Sequence, residues 1–197
     1  MAIVKRISSF SEYFSVSKID TSFVALQSKG MMHQKDYDAL AAICLHEQPK
    51  FIFEIGTYLG VTSNFFLNIL PNCKVVSIAY IGSSNNSKLP KKLIGSAVEH
   101  KNRFIQIIGN SHEINPEEFV SNYGVPDMIF IDGDHSYEGV SNDTTLSFSI
   151  GAKIICWHDA NPRRCFIDVR RFLETDTRFS AIATKDDYIG GIAYLKR

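Results

Sequence analysis

The sequence has no excess of either charge and no long hydrophobic run. Its 21 Lys and Arg residues balance its 21 Asp and Glu residues, and no block of like charge interrupts the chain. Proteins that bind nucleic acid or an anionic membrane surface rely on an excess of basic residues, so neither partner is expected. The longest apolar runs are far shorter than the about 20 residues that cross a bilayer, and no transmembrane segment is predicted.

Cysteine is also scarce. The sequence has four cysteines but no CxxC pair, the spacing that is typical of zinc and thiol redox sites. They lie mostly in apolar segments, so we expect reduced, buried thiols at Cys44, Cys73, Cys156 and Cys165. The first residues are too weakly apolar for a secretory signal, which favours a cytoplasmic location.

The composition that remains is that of an ordinary globular protein, with 45% hydrophobic and 12% aromatic residues among 197. A chain of this length buries roughly 70% of its unfolded surface, which predicts one core. From about residue 50 onward, short apolar runs alternate with longer amphipathic segments, a pattern typical of βα units around a parallel sheet. The predicted parallel strands are 51–55, 74–79, 103–108, 127–132 and 152–157.

The end of the chain follows a different pattern. Two further apolar runs, 179–184 and 191–196, are joined by a connection too short for a crossover helix. These two strands should therefore pair antiparallel. Asn115 and Asn161 each precede a proline and mark helix starts, because Asn caps a helix and Pro suits its first position. Further helices are predicted at about 35–48, 60–70 and 138–149.

The N-terminal residues 1–34 show no periodicity beyond a cluster of Phe10, Tyr13 and Phe14. We treat them as an N-terminal helical arm that precedes a single domain at 35–197. The aromatic cluster is as well suited to packing on a second subunit as on the chain's own core, so a homo-oligomer is left open.

Ligands of open α/β sheets bind at the carboxyl ends of the strands, so the residues that follow each strand are the candidates for chemistry. The first candidate is the segment 54–60, EIGTYLG. Gly56 and Gly60 permit a tight turn with close backbone approach, and the helix that follows offers free amides to an anion. Tyr58 stands where a dinucleotide fingerprint needs glycine. By itself the segment is equally compatible with a structural turn.

Two more candidates follow the fourth and fifth predicted strands. The fourth strand is followed by Asp132 and His135, and the fifth by His158 and Asp159. Neighbouring strands lie about 4.8 Å apart, so the two aspartates should face one cleft. Two facing carboxylates suit Mg²⁺, with His158 or Asn161 completing the shell, although aspartate after a strand also serves as a turn cap.

Three segments together carry a resemblance to a known family. They are 54–63 (EIGTYLGVTS), 127–140 (DMIFIDGDHSYEGV) and 156–160 (CWHDA). They resemble the class I S-adenosylmethionine-dependent methyltransferases, and more narrowly a small O-methyltransferase-like group with an IDGDHSY segment. The resemblance covers about residues 48–197. It implies a Rossmann-like three-layer α/β sandwich with strand order 3-2-1-4-5-7-6, counted from the strand at 51–55, and an antiparallel C-terminal hairpin.

The same resemblance implies roles for single residues. Glu54, Gly56 and Gly60 would surround the methionine part of S-adenosylmethionine, and relatives that use Mg²⁺ hold it with residues at the positions of Asp132 and Asp159, with His158 as a further candidate. The implied cofactor contacts are Glu54, Gly56, Thr57, Tyr58, Gly60, Ala79, Asn110, Ser111 and Asp132.

Two positions depart from the family pattern. Ala79 stands where an acidic residue usually binds the ribose hydroxyls, and Asn110 replaces an aspartate near the adenine. The missing carboxylate at position 79 removes a charge-assisted hydrogen bond.

The leading hypothesis is a methyltransferase acting on an oxygen of a small-molecule acceptor. Mg²⁺ held by Asp132 and Asp159 would orient the acceptor hydroxyl and lower its pKa, and without metal His158 or His135 would be the general base. The alternative is a non-catalytic protein that keeps the fold as a binding or interaction module, and Ala79 and Asn110 are the features that favour it. The sequence does not identify the acceptor.

Overall fold

The fold is described from a computed structural model, which covers residues 3–17, 20–21, 24, 32–82, 89–161, 167–178, 181–185 and 191–197. The strands are β1 (Ile3–Arg6), β2 (Phe51–Ile55), β3 (Lys74–Ala79), β4 (Phe104–Ile108), β5 (Met128–Ile131), β6 (Ile154–Trp157), β7 (Ala181–Lys185) and β8 (Ile192–Lys196). The helices are α1 (Phe10–Phe14), α2 (Gln34–Glu47), α3 (Val61–Ile69), α4 (Pro116–Tyr123), α5 (Tyr137–Ile150) and α6 (Ile167–Thr175).

The described strands form one eight-stranded sheet in the order β1-β7-β8-β6-β5-β2-β3-β4. Counted from β2, seven of them follow the order 3-2-1-4-5-7-6, so the expected Rossmann-like α/β sheet is confirmed. The antiparallel hairpin is confirmed as well, because β8 runs antiparallel to both β6 and β7. The other pairs are parallel.

The N-terminal segment corrects one prediction. Ile3–Arg6 is strand β1, which pairs parallel with β7 at the edge of the sheet, so a helical arm is wrong for these residues. Four residues are too few to show a strand period in the sequence, and the pairing depends on a partner almost 180 residues away. The aromatic cluster packs within the chain: the Phe10 and Phe14 rings lie 6.0 Å and 5.2 Å from the Tyr194 ring, centroid to centroid.

Two apolar layers sandwich the sheet, as the strand alternation requires. One layer is filled by α2 and α3, with Leu40, Ile43 and Phe66 fully buried against one face. The other layer is filled by α4, α5 and α6, with Phe119 and Phe172 against the opposite face. Within β2 the odd positions face α4–α6, so the even position 54 carries its carboxyl group into the layer of α2 and α3.

Local signals explain several helix ends. Asn115 caps α4 by accepting a hydrogen bond from the Glu118 backbone N–H at 3.0 Å, with Pro116 in the first position, as predicted. The helix predicted to start at Asn161 would begin in residues 162–166, which lie outside the described ranges. None of the described helices has the length and hydropathy that a membrane span requires.

The cysteines match the expectation where they are described. Cys44, Cys73 and Cys156 are buried and free. Cys165 lies outside the described residues.

Candidate active site

The turn between β2 and α3 is built on two glycines in left-handed backbone conformations. Gly56 has φ +111°, and a Cβ there would lie 2.1 Å from the backbone carbonyl oxygen of Asp132. Gly60 has φ +84°, and a Cβ there would lie 2.8 Å from the Cα of Gly95. Both positions therefore require glycine for close backbone approach, as the sequence predicts. Any larger residue at Gly56 would push the ends of β2 and β5 apart, so a substitution there tests folding together with binding.

The start of α3 leaves its first amides without a side-chain cap. Gly60 is the N-cap residue, and its position offers no side-chain oxygen to the first turn of the helix. Such a terminus attracts negative groups through its free N–H groups and the helix dipole. Tyr58, in the same turn, is 42% exposed. The turn thus offers backbone N–H donors at the start of α3 and an exposed aromatic ring.

Glu54 lies beneath this turn and is fully buried. Its Oε2 accepts hydrogen bonds from the hydroxyls of Ser63, on α3, and Ser77, on β3, the latter at 2.7 Å. Its Oε1 is buried and has no hydrogen-bond partner among the described residues. Burial raises the pKa of Glu54 to about 8, although both serine hydrogen bonds act in the opposite direction. At neutral pH this carboxyl group is therefore mainly protonated.

A chain of donors leads to Glu54 across three strands. The Gln106 side-chain N–H donates to Thr57 Oγ1 at 2.9 Å, and Thr57 Oγ1 lies 2.7 Å from Ser77 Oγ. Because Ser77 donates its hydrogen to Glu54, Thr57 is the donor in the Thr57–Ser77 pair. Ser77 and Gln106 were not among the predicted site residues. The signal that marks them is a polar residue inside each of two otherwise apolar strands.

The nucleoside end of the predicted cofactor site carries little charge. Ala79 is buried at the end of β3 and offers only a methyl group. Asn110 Oδ1 accepts a hydrogen bond from the His112 backbone N–H at 3.1 Å, and Ser111 Oγ donates to Asp143 Oδ1 at 2.7 Å. Burial raises the pKa of Asp143, on α5, to about 6 despite that hydrogen bond. Asp143 is a residue that the sequence reasoning missed.

Four predicted residues do come together at the ends of β5 and β6: Asp132, His135, His158 and Asp159, called the quartet below. The parallel register pairs Ile131 with Trp157, which places Asp132 beside His158. His158 Nδ1 lies 2.9 Å from Asp132 Oδ1, and His135 Nε2 lies 3.0 Å from Asp159 Oδ2. One ligand atom from each of the four lies within 4.8 Å of all the others. Among the described residues, this group has the donors that a metal ion requires.

The quartet balances its own charge. Burial alone would lower the pKa of His135, but the hydrogen bonds to Asp132 and Asp159 outweigh it and raise the pKa to about 9. Burial would also lower the pKa of His158, but the negative charge of Asp132 and hydrogen bonds to carboxylates, that of Asp36 among them, raise it. Burial alone would raise the pKa of Asp132, but the positive charge of His158 and the histidine hydrogen bonds hold it far below its usual value. Both imidazoles are therefore protonated at neutral pH in the absence of a metal.

Asp36, on the first turn of α2, completes the surroundings of His158. Its Oδ2 lies 3.2 Å from His158 Nε2 and accepts a hydrogen bond from the His33 backbone N–H at 2.9 Å. Its Oδ1 accepts a hydrogen bond from the Gly191 backbone N–H at 2.9 Å. The sequence reasoning missed this residue because it lies far from the quartet in the chain. Its local signal is the capping box that it forms with His33.

Asp134, by contrast, stays outside the quartet. Its side chain is exposed, and Oδ1 accepts a hydrogen bond from the Ser136 backbone N–H at 2.9 Å. It therefore stabilises the loop before α5.

The part of the chain that contains the glycine turn and the quartet also matches known proteins. Residues 53–160 match a family profile described as a methyltransferase domain. The O-methyltransferase from Bacillus cereus, solved in complex with SAH, is 16% identical with a TM-score of 0.61, over 97% of this chain and 91% of that chain. The SAH-bound methyltransferase PaMTH1 from Podospora anserina is 15% identical with a TM-score of 0.62, over 97% of this chain and 88% of that one.

A third similar structure is the O-methyltransferase TomG from Streptomyces achromogenes, involved in tomaymycin synthesis and solved with SAM. It is 15% identical with a TM-score of 0.60, over 94% of both chains. At these identities the likeness shows a shared fold. No curated protein sequence matches the chain.

Proposed function

The chain belongs to the methyltransferase domain family, and on that premise we propose that it transfers a methyl group from S-adenosylmethionine to a hydroxyl oxygen of a small-molecule acceptor. One observation carries the proposal: the glycine turn and the quartet meet at the carboxyl ends of the central strands β2 and β5. There the backbone of Gly56 lies directly against the backbone of Asp132. A cofactor on the turn and an acceptor at the quartet would be immediate neighbours.

The residues around the turn fit the amino-acid part of S-adenosylmethionine. Glu54 Oε1 is buried and meets no hydrogen-bond partner in the part of the chain that the structure describes, and an ammonium group would satisfy such an oxygen. The uncapped start of α3 suits the carboxylate. Gly56, Thr57, Tyr58 and Gly60 form the turn between these two groups. The similar structures that hold SAH or SAM support this reading.

The nucleoside part would rest on weaker contacts. Ala79 supplies no hydrogen bond to the ribose, and the side chains of Asn110 and Ser111 are engaged within the protein. Nucleoside recognition would therefore depend on apolar contact and on backbone groups at the ends of β3 and β4. We expect weaker cofactor binding than an acidic residue at position 79 would give.

The quartet fits a divalent cation by its chemistry. Asp132 and Asp159 supply the carboxylate oxygens that Mg²⁺ prefers, and the two imidazoles extend the choice to Mn²⁺ or a similar ion. The lone pairs that a cation would use are those that now face imidazole protons. When bound, the cation would lower the pKa of an acceptor hydroxyl.

The chain's own residues would mainly align the reactants. In this displacement the acceptor oxygen bonds to the methyl carbon as the carbon–sulfur bond breaks, so position matters more than acid–base strength. A quartet histidine accepts the hydroxyl proton only in its neutral form. The two carboxylates keep His135 and His158 protonated, so weakening one of those contacts moves the imidazole pKa towards neutral.

Isothermal titration calorimetry with S-adenosylmethionine and S-adenosylhomocysteine, each with and without Mg²⁺ or Mn²⁺, tests the proposal. We expect micromolar binding of both ligands to the full chain. An acceptor screen with labelled methyl groups would follow. Absence of binding up to millimolar ligand would contradict the proposal.

The second candidate function is a non-catalytic protein that keeps the fold as a binding module, favoured by the buried methyl of Ala79 where a ribose acid is usual. The quartet weighs against it, because ion pairs that are largely withdrawn from solvent at the strand ends are costly to keep for stability alone. Absence of cofactor binding in the same calorimetric experiment would favour this candidate.

A further inference from the structure

A buried carboxylate reaches the quartet from outside the segment that matches the family profile. Asp36 is fully buried on α2, and the matched segment begins at residue 53. Its contacts include the His33 backbone N–H, the Gly191 backbone N–H and His158 Nε2. One carboxylate therefore joins the start of α2, the start of β8 and the histidine at the end of β6.

The contacts of Asp36 constrain His158. Each Asp36 carboxyl oxygen accepts a hydrogen bond from a backbone N–H, so the group acts as an acceptor and His158 Nε2 supplies the proton in their contact at 3.2 Å. The opposite ring nitrogen, Nδ1, then faces Asp132 Oδ1 at 2.9 Å and Asp159 Oδ2 at 3.3 Å. The ring is held at both ends, so its orientation within the quartet is set from α2. Carboxylates that fix the second nitrogen of a histidine in this way orient the first nitrogen for ligation or proton transfer.

We propose that Asp36 is a positioning residue: it fixes the His158 ring with Nε2 protonated, so that Nδ1 is the atom presented to the acceptor or its cation. The inference rests on the proposed function of the quartet. It goes beyond that function because it assigns to a residue on α2 the orientation of the His158 ring and the choice of the ring nitrogen that keeps its proton in the neutral form. A purely structural role for Asp36 would be to cap α2 and hold Gly191, with no effect through His158.

The first readout is spectroscopic and needs neither cofactor nor metal. In wild-type protein with ¹⁵N-labelled histidine, NMR should show a slowly exchanging downfield imidazole N–H signal from His158 Nε2. The signal should disappear in His158→Gln, survive in Asp132→Asn, and be lost in Asp36→Ala. Asp38→Ala is the matched control: Asp38 lies on the same helix, is exposed and bonds to the Thr21 hydroxyl, and its loss should leave the signal in place.

The second readout is Mn²⁺ affinity by calorimetry. Loss of a partner that orients a ligating histidine typically costs about 10- to 100-fold in metal affinity, and we expect Asp36→Ala to fall in that range. In a His158→Gln background the same substitution should cause almost no further loss, because the effect acts through the imidazole. Equal losses in both backgrounds would overturn the proposal, since a cap of α2 acts independently of His158.

Two complications are separable. If Asp36→Ala does not fold, the wild-type spectrum still decides, because absence of a protected His158 Nε2–H signal contradicts the proposal. If wild-type protein binds neither Mn²⁺ nor S-adenosylmethionine while Asp36→Ala alone loses the imidazole signal, the proposed function fails and the positioning of His158 by Asp36 stands.

Discussion

Two buried carboxyl sites on neighbouring strands have opposite charge states. Glu54, on β2, lies among hydroxyl groups, and its pKa is raised to about 8. Asp132, just past the end of the adjacent β5, lies among imidazoles, and its pKa is held far below its usual value. Burial acts to raise the pKa of both groups, although the Asp132 side chain keeps 20% exposure, so burial alone does not decide the charge of a carboxyl group. The cation beside it does.

The difference indicates what each site lacks. Within the described ranges, Glu54 Oε1 has no hydrogen-bond partner and no cationic side chain contributes to the pKa of Glu54, so an ammonium group from a ligand would ionise it. The quartet already holds two positive imidazoles, so a metal ion would have to displace protons that are present. We therefore expect cofactor binding to ionise Glu54. Metal binding should remove protons, and with them the positive charge, from the quartet histidines.

The largest expected effect follows from breaking the charge balance of the quartet. Asp159→Asn removes one carboxylate, and Asn tolerates the backbone of this position, where φ is +57°. We expect methyl transfer to an accepted substrate to fall more than about 100-fold with little change in folding, because both the cation and the acceptor lose their place. Transfer of a labelled methyl group measures this.

Asp134→Asn is the control for that experiment, since its exposed side chain lies outside the quartet. Unchanged turnover in Asp159→Asn would remove the proposed metal site.

Next in size is the effect of making the Glu54 site permanently neutral. Glu54→Gln keeps the shape of the side chain but has no charge to pair with an ammonium group. We expect the affinity for S-adenosylmethionine to fall about 10- to 100-fold. A loss of this size corresponds to the usual free-energy contribution of one hydrogen bond to a charged group. Calorimetry measures it, and unaltered affinity would show that Glu54 does not face the cofactor.

The same variant has an opposite effect on stability. The pKa of Glu54 in the folded chain lies above its ordinary 4.5, so its contribution to stability is complete below that pH and is lost as the pH rises through about 8. Glu54→Gln should lack this fall and be more stable than wild type at pH 8 by on the order of 3 kcal/mol. Urea unfolding from pH 4 to pH 9 tests it; parallel curves would contradict a neutral Glu54.

The quartet should make the free energy of unfolding fall in a different pH range. The pKa of His135 is raised from 6.5 to about 9, so its contribution is complete below pH 6.5 and is lost as the pH rises through about 9. His135→Gln should cost on the order of 2 kcal/mol at pH 6 and little at pH 10 in metal-free protein. The same unfolding series measures it. A cost independent of pH would mean that packing, rather than charge, holds His135.

The smallest expected effect comes from adding the carboxylate that the nucleoside end lacks. Ala79→Glu places an acid at the end of β3, where the ribose hydroxyls are expected. We expect at most about a 10-fold gain in S-adenosylmethionine affinity, because the cost of burying the added charge offsets much of what one charge-assisted hydrogen bond contributes. Ala79→Gln is the neutral control, and an equal gain in both variants would exclude a role for charge.

Much of the fold follows from short-range patterns. Each apolar run from residue 51 onward became a strand, and the short connection between the last two predicted strands gave the antiparallel hairpin. The quartet was predictable too, because the parallel register brings together residues that follow adjacent strands.

The missed features all depend on distant partners. Strand β1 exists by pairing with β7, and Asp36 meets His158 only after α2 has packed beside β6 and β8. Glu54 was predicted beside the cofactor, but its burial and its serine partners follow from which face of β2 it occupies. These contacts depend on packing rather than on local sequence.

The most direct measurement is NMR of ¹³C-labelled Glu and Asp carboxyl groups during a pH titration of the metal-free protein, with and without S-adenosylmethionine. We predict that Glu54 titrates near pH 8 without ligand and is ionised at pH 7 with it, while Asp132 and Asp159 remain ionised from pH 5 upward in both samples. Glu54 already ionised at pH 6 without ligand would contradict the account.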